Sequence, residues 1–400
     1  MAVDWSHLPK ELLEKISLQI PIYSDYIRFR AVCRSFWSSA PRFPYHLPPQ
    51  LPWLLLPADS SYSSFFNLQD RRVHYFPRST GAGPPFPFNR HRCCGSSHGW
   101  LAATGESPEI TLVNPLTMSK VDLPPLTTFP NVVAFDYANV GREYIVRNSS
   151  GALVTRDLAV MRDSFIEKIV LSSGPADGPG FVAVALLTCG DGLAFCRSDD
   201  SRWTFVEGAE YYNSDVIFRD GSFYALSRAG LLAVITIHGP FSSPPEVNYI
   251  PSRGLVNGDL QYLVEAGEDL FLVTRYIHYE FEDEESPVRY RTDHFDVFKL
   301  DLCGQPYCPR WVKLESIGDC MLFVGRNSSL AFRASEFPGC LGNCIYYTDD
   351  FSEDNSDCII EPDMGIYRLY DGSIENFPSY SLSPSFRVMP LPIWLSPNPR

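Results

Sequence analysis

Three groupings in the chain have the residue types that chemistry would need. Gly95-Ser96-Ser97-His98-Gly99 has the G-x-S-x-G form of a hydrolase elbow, in which a strand delivers a serine to the start of a helix and exposes its hydroxyl beside a base. Here the run leads into Trp100-Leu101-Ala102-Ala103-Thr104, which reads as a strand, so a turn between strands is expected and a hydrolase using Ser97 and His98 is the weak alternative. His91, Cys93, Cys94 and His98 lie close enough to suggest zinc, as do Cys303 with Cys308 and Cys340 with Cys344. Structural zinc prefers paired cysteines on rigid knuckles, and two adjacent cysteines do not readily place both sulfurs on one tetrahedron, so buried thiols and no metal are expected. The acidic runs Glu280, Glu282, Asp283, Glu284, Glu285 and Asp349, Asp350, Glu353, Asp354, Asp357 lack the glycine and terminal glutamate of a calcium loop. They read as solvated loops that, on one shared face, would attract a basic segment of a target protein. Gly81-Ala82-Gly83-Pro84-Pro85 reads as a turn rather than a phosphate cradle, and no cofactor is expected.

The elements that would position these groups follow from composition. In 400 residues there are 55 Phe, Tyr and Trp and 34 Pro, a mixture that favours strands and excludes a mainly helical fold. The net charge of -14 argues against a nucleic-acid partner or an anionic membrane. That charge is uneven: residues 1–120 carry 12 basic and 8 acidic side chains, and residues 121–400 carry 21 and 39. Eleven cysteines without a framework, and no apolar run near the ~18 residues of a membrane span, point to a soluble protein of the nucleus or cytoplasm.

The N-terminal segment reads as helices. Leu8, Leu12, Ile16 and Ile20 recur at helical spacing with Leu13 alongside, Pro9 suits the first turn, and Pro21 stops the run. Ser24 is placed to cap a second helical stretch opened by Asp25, with Phe29, Val32, Cys33, Phe36 and Trp37 as its stripe and Arg28, Arg30 and Arg34 largely off it. A unit of this size cannot bury so much apolar surface alone, so another chain or its own C-terminal domain must cover part of it.

Leu8-Pro9-Lys10-Glu11-Leu12-Leu13-Glu14-Lys15-Ile16 with the close Arg30-Ala31-Val32-Cys33-Arg34-Ser35-Phe36-Trp37 resembles an F-box. The resemblance implies a three-helix module that binds a Skp-family adaptor and, through it, a cullin. It implies that Leu8, Pro9, Leu12, Leu13, Ile16, Ile27, Val32, Cys33 and Trp37 form the adaptor-facing or packing set. Phe36 stands where that family usually carries its tryptophan, with Trp37 next.

Beyond residue 50, short apolar or alternating runs recur between Gly, Asp, Asn and Pro, among them Ile110-Thr111-Leu112-Val113, Val182 to Leu187, Asp269 to Thr274 and Met321 to Val324. Residues 144–153, 218–227 and 323–332 read as copies of one strand, turn, strand unit. Their spacing suits a propeller of about six blades better than a pair of sandwiches. His98-Gly99-Trp100-Leu101-Ala102, Leu112-Val113-Asn114-Pro115 and Val121-Asp122-Leu123-Pro124-Pro125 resemble the opening blade of the plant family in which an F-box precedes a kelch-like propeller of the domain-of-unknown-function 295, KIB-type class.

The expected fold is therefore a small all-α F-box at 1–44, a Pro-rich linker at 45–59, an all-β propeller at 60–378 and a Pro/Ser-rich tail at 379–400. The function that the resemblance implies is the non-catalytic substrate-recognition subunit of an SCF-type cullin-RING ubiquitin ligase, with the propeller holding a target protein the sequence does not identify. The alternative is a non-degradative propeller interaction protein.

Overall fold

The structure, a computed structural model, describes residues 8–41, 44, 46–47, 50–56, 62–77, 91–178, 180–188, 192–238, 244–251, 257–280, 289–302, 309–351, 363–377 and 392–398. Three short helices open it: α1 (Lys10–Ser17), α2 (Tyr23–Ala31) and α3 (Arg34–Ser39). Pro9 sits at the N-cap of α1, where its missing N–H costs nothing, and its carbonyl accepts from Leu12 and Leu13. The second stretch departs from expectation. Ile22, not Ser24, caps α2, and the run breaks at Cys33, whose extended backbone (φ -164°, ψ 174°) starts α3 as a separate helix. Ser24 is buried within the first turn of α2 instead.

Strands follow, in seven sheets among the described residues. Sheet I contains Trp53–Leu56, Tyr62–Asn67 and Arg72–Pro77, and sheet II runs through Arg92–Ser97, Trp100–Thr104, Ile110–Val113 and Lys120–Leu123. Sheet III has three strands, Val132–Phe135, Tyr144–Arg147 and Leu153–Arg156, followed by α4 (Leu158–Ser164), which is capped by the Asp157 carboxylate accepting from Val160 N. Sheets IV (166–205), V (215–250) and VI (260–314) are four-stranded antiparallel meanders, and sheet VII (320–376) has five strands with one parallel pair.

Contacts between sheets close a circle. Arg92 of sheet II donates to Ile166 O of sheet IV at 3.0 Å, Lys168 of sheet IV meets Asp215 of sheet V at 2.6 Å, and Asp215 accepts from Leu263 N of sheet VI at 2.8 Å. Tyr262 of sheet VI donates to Asp350, in the connection between two strands of sheet VII, and Phe323 of sheet VII packs on Trp394, whose strand joins sheet I, with ring centroids 5.2 Å apart. Sheets I and II share a core containing Trp53, Phe65, Leu101 and Val113. The order I, II, IV, V, VI, VII and back to I is that of a β-propeller, and sheet III lies outside it, packed on the core that sheets II and IV share. The hairpin at 144–153 is a strand, turn, strand unit like the one at 218–227, which forms the first two strands of sheet V, but it lies outside the ring.

The ends of the chain meet in one sheet. Ile393–Leu395 pairs antiparallel with Trp53–Leu56, with Leu54 opposite Trp394. Both strands fall outside the expected limits of 60–378, one in the expected linker and one in the expected tail. They are too short and too closely flanked by proline to show a strand period, yet Trp53, Leu54, Trp394 and Leu395 are completely buried.

Two tryptophans tie neighbouring sheets at their outer edges. Trp203 Nε1 donates to Pro124 O at 2.8 Å, and Trp311 Nε1 to Gly230 O at 2.7 Å.

Candidate functional site

On α1 an inward row, Leu13 and Ser17, lies beside an outward apolar row, Leu12 and Ile16, because residues four apart share a face. Leu13 and Ser17 are buried, while Leu12 and Ile16 are 46% and 40% exposed. Leu18, Ile22, Val32 and Trp37 are also about half exposed or more, so six large apolar side chains of this module face outward. The nine residues read from sequence thus divide. Leu12, Ile16, Val32, Trp37 and Pro9 are exposed, Leu8 and Cys33 are half-buried, and Leu13 and Ile27 lie inside. Phe36 takes the interior place, 4.7 Å from Phe29 between ring centroids, and Trp37 stays outside beneath the guanidinium of buried Arg30, 5.6 Å from its ring.

The inner side of α2 is covered by the chain itself. Tyr23 and Ile27, one turn apart, pack into the core built from Trp53, Leu55, Phe65, Ile393 and Leu395. Tyr23 sets its ring edge-on to Trp53 and donates its hydroxyl to Pro397 O at 3.1 Å. Burial raises the pKa of that phenol, which keeps it protonated as a donor. The helices are therefore seated on the sheet that joins the two ends of the chain.

Around the centre of the ring, the strands of sheets II, IV, V and VI that begin at Arg92, Ile166, Asp215 and Leu260 run in a common direction between two cavities. Their starts (Lys168, Asp215, Gln261) line a cavity of about 410 Å³ at one mouth, and their ends (Ser97, Leu171, Phe218, Glu265) line a larger one at the other, where Tyr23 and Leu47 approach. Polar groups that, Asp349 and Asp350 apart, the sequence did not single out gather at and behind the first mouth. Lys168 and Asp215, both almost fully buried, form an ion pair at 2.6 Å. Fully buried Arg275 bonds Asp350 and Asp363, each at 2.9 Å, and the hydroxyl of Thr292 at 2.8 Å, and Tyr262 donates to Asp350 at 2.9 Å. Tyr290 donates to Asp349, whose pKa burial pushes up to about 7 although Arg275 pulls the other way. Asp349 and Asp350, expected as solvated loop acids, are thus buried polar partners. The rest of that run, and Glu282 to Glu285, lie outside the described residues. The signal that could have flagged this mouth is a lone charge beside an apolar strand, as in Glu167-Lys168-Ile169-Val170-Leu171 and Asp215-Val216-Ile217.

The other candidate chemistry resolves into structure. Gly95-Ser96-Ser97-His98-Gly99 is strand, turn, strand, with φ of +52° at His98 and +83° at Gly99, so no helix start presents Ser97. His98 Nε2 lies 3.2 Å from Leu171 O, and Leu171 N donates to Ser97 Oγ at 3.3 Å, so both side chains join sheet II to sheet IV. Cys93 sits in the core between sheets I and II and Cys94 in the core toward sheet IV, on opposite faces of their strand. Among the described residues no three His, Cys, Asp or Glu side chains converge as metal ligands, and Cys303 and Cys308 lie outside them. Among the described residues, too, no helix is long and apolar enough to cross a membrane.

Comparison with known proteins covers both parts of the molecule. The F-box protein SKIP23 of Arabidopsis thaliana is 28% identical over the whole of this chain and 97% of its own. The Arabidopsis F-box protein At2g17036 is 26% identical over 93% of this chain and 90% of its own, and the Arabidopsis F-box/kelch-repeat protein At1g64840 is 27% identical over 88% and 85%. The KIB1-4 β-propeller family matches residues 65–368, the stretch that builds most of the ring. With F-box proteins as its full-length relatives and the propeller of that family as its body, the chain belongs to the KIB1-4 β-propeller family of plant F-box proteins.

Proposed function

We propose that the chain is the substrate-recognition subunit of an SCF-type cullin-RING ubiquitin ligase. The observation that carries this reading is the outward row Leu12 and Ile16, with Val32 and Trp37, on a helical module whose inner side is already filled by the propeller. An exposed apolar set on helices is the surface that a helix-in-groove partner covers, and a Skp-family adaptor is the partner that the F-box relatives suggest. Leu13 and Ile27 hold the module together, while Leu12, Ile16, Val32 and Trp37, with Leu8, Pro9 and Cys33 at its margins, face the adaptor. The propeller has six blades, sheets I, II, IV, V, VI and VII, and extends from about residue 50 to 398, with sheet III as an insertion. The target protein docks at the charged mouth, which faces away from the helices, and the chain itself catalyses nothing. It raises the concentration of target lysines near a ubiquitin-loaded enzyme bound through the cullin.

The reading is tested by reconstituting the full chain with adaptor, cullin and RING subunit, and by proximity labelling in plant cells of a form lacking residues 1–44. Labelled proteins that persist in that background, and that the reconstituted complex ubiquitylates, support it. Recovery of the adaptor without ubiquitylation of any labelled protein would favour a non-degradative role.

A further inference from the structure

The mouth of the ring beside the helices holds a cavity of about 770 Å³, within the roughly 300–1,000 Å³ typical of small-molecule sites. One side of its wall is apolar, built by Leu171, Ile217, Phe218 and Phe332. The other carries Ser328 and Ser329, whose hydroxyl oxygens are buried and have no hydrogen-bond partner among the described residues. Buried hydroxyls in native proteins are nearly always paired, so two adjacent unpaired ones in the wall of a cavity mark where an occupant supplies polar atoms.

Charge narrows the occupant. Among the described residues no lysine or arginine lines the cavity, so a phosphate or carboxylate would find no counter-charge among them. Glu265, the one carboxylate among the described lining residues, already lies 3.5 Å from Arg219, so a cation would find its partner engaged.

We propose that this cavity binds an uncharged amphiphile, with its hydroxyl-bearing end on Ser328 and Ser329 and its apolar body against Ile217, Phe218 and Phe332. The occupant also touches Tyr23 and the segment Ser396–Asn398, which are joined by the bond from Tyr23 to Pro397 O and anchored to the ring by Asn398 Nδ2 donating to His98 O at 2.8 Å. Filling the cavity therefore stiffens the seat of the helices on the ring. This site is independent of the adaptor-binding reading, since none of the outward apolar residues lines it.

The test uses the full-length chain with phenyl β-D-glucoside and hexyl β-D-glucoside as probes and phenyl phosphate as the anionic control, followed by calorimetry and hydrogen exchange. Saturable binding of at least one glucoside is expected, with slower exchange in peptides covering 326–333 and 392–398 and no binding of phenyl phosphate. The Ser328→Ala/Ser329→Ala variant should bind the glucoside at least tenfold more weakly. If that variant does not fold, the exchange pattern of the wild-type chain decides the matter. The proposal is overturned if neither glucoside binds saturably, if phenyl phosphate binds equally well, or if protection appears only outside those two segments, an outcome that means an adventitious additive only.

Discussion

Leu12 and Leu13 are neighbours in sequence with opposite roles, and substitution separates them. Leu13 has no exposed surface, so Leu13→Ala should cost about 2–5 kcal/mol of stability through the cavity it leaves. Leu12→Ala and Ile16→Ala remove only half-exposed atoms and should each change stability by less than about 1 kcal/mol, which urea unfolding of the three variants would show. Asp349 provides a second prediction. Burial raises its folded pKa to about 7, so the folded state holds a proton that the unfolded chain releases near pH 4. The stability this contributes is complete below about pH 4 and is lost as pH rises through about 7. Asp349→Asn cannot ionise, so relative to wild type it should be more stable at pH 8 than at pH 5. Equal differences at the two pH values would mean that Asp349 is ionised throughout. At this scale the sequence was informative about apolar spacing on α1 and silent about Arg275, because a buried arginine is defined by partners that reach it from 17 to 88 residues away.

At the scale of elements, the strand runs at 100–104, 110–113, 182–187, 269–274 and 321–324 were legible, since apolar alternation between turn residues is local information. The break between α2 and α3 was not, because no glycine or proline marks Val32-Cys33 and the stripe continues across it. Nor was the placement of sheet III outside the ring, since its hairpin has the same pattern as those inside. Glycine makes one junction testable. Gly95 has φ +143°, and a Cβ there would lie 2.4 Å from Ile169 O, where the inner strand of sheet II bulges against that of sheet IV. Gly95→Ala should therefore separate these two strands and lower the midpoint of thermal unfolding by several degrees. By contrast Gly151→Ala, at an exposed turn of sheet III with φ +84° and open space around it, should incur only the smaller strain of that backbone.

Over the whole molecule, the two ends of the chain are paired in one sheet that also seats the helices. A ring without that pairing presents free strand edges, so closure should be cooperative. Trp394 is fully buried against Phe323, Tyr346 and Phe377, and Trp394→Ala should cost about 3–5 kcal/mol. A chain ending at Ser352, which lacks the closing strand, should be insoluble or readily cleaved by protease, and stability equal to that of the full chain would contradict closure. The family resemblance was legible in five short motifs, two in the helices and three in the opening blade. The sheet that pairs the first described strand with the last was not, since the two lie more than 300 residues apart. The central claim is that the outward row on the helices recruits the adaptor. Its most direct test is titration calorimetry of the full-length protein with a plant Skp-family adaptor, comparing wild type with Leu12→Ala/Ile16→Ala. Truncating interface anchors commonly costs about 1–4 kcal/mol each, so the account predicts a tight wild-type complex weakened at least 30-fold, with thermal unfolding unchanged. An adaptor affinity that is the same for both proteins would contradict it.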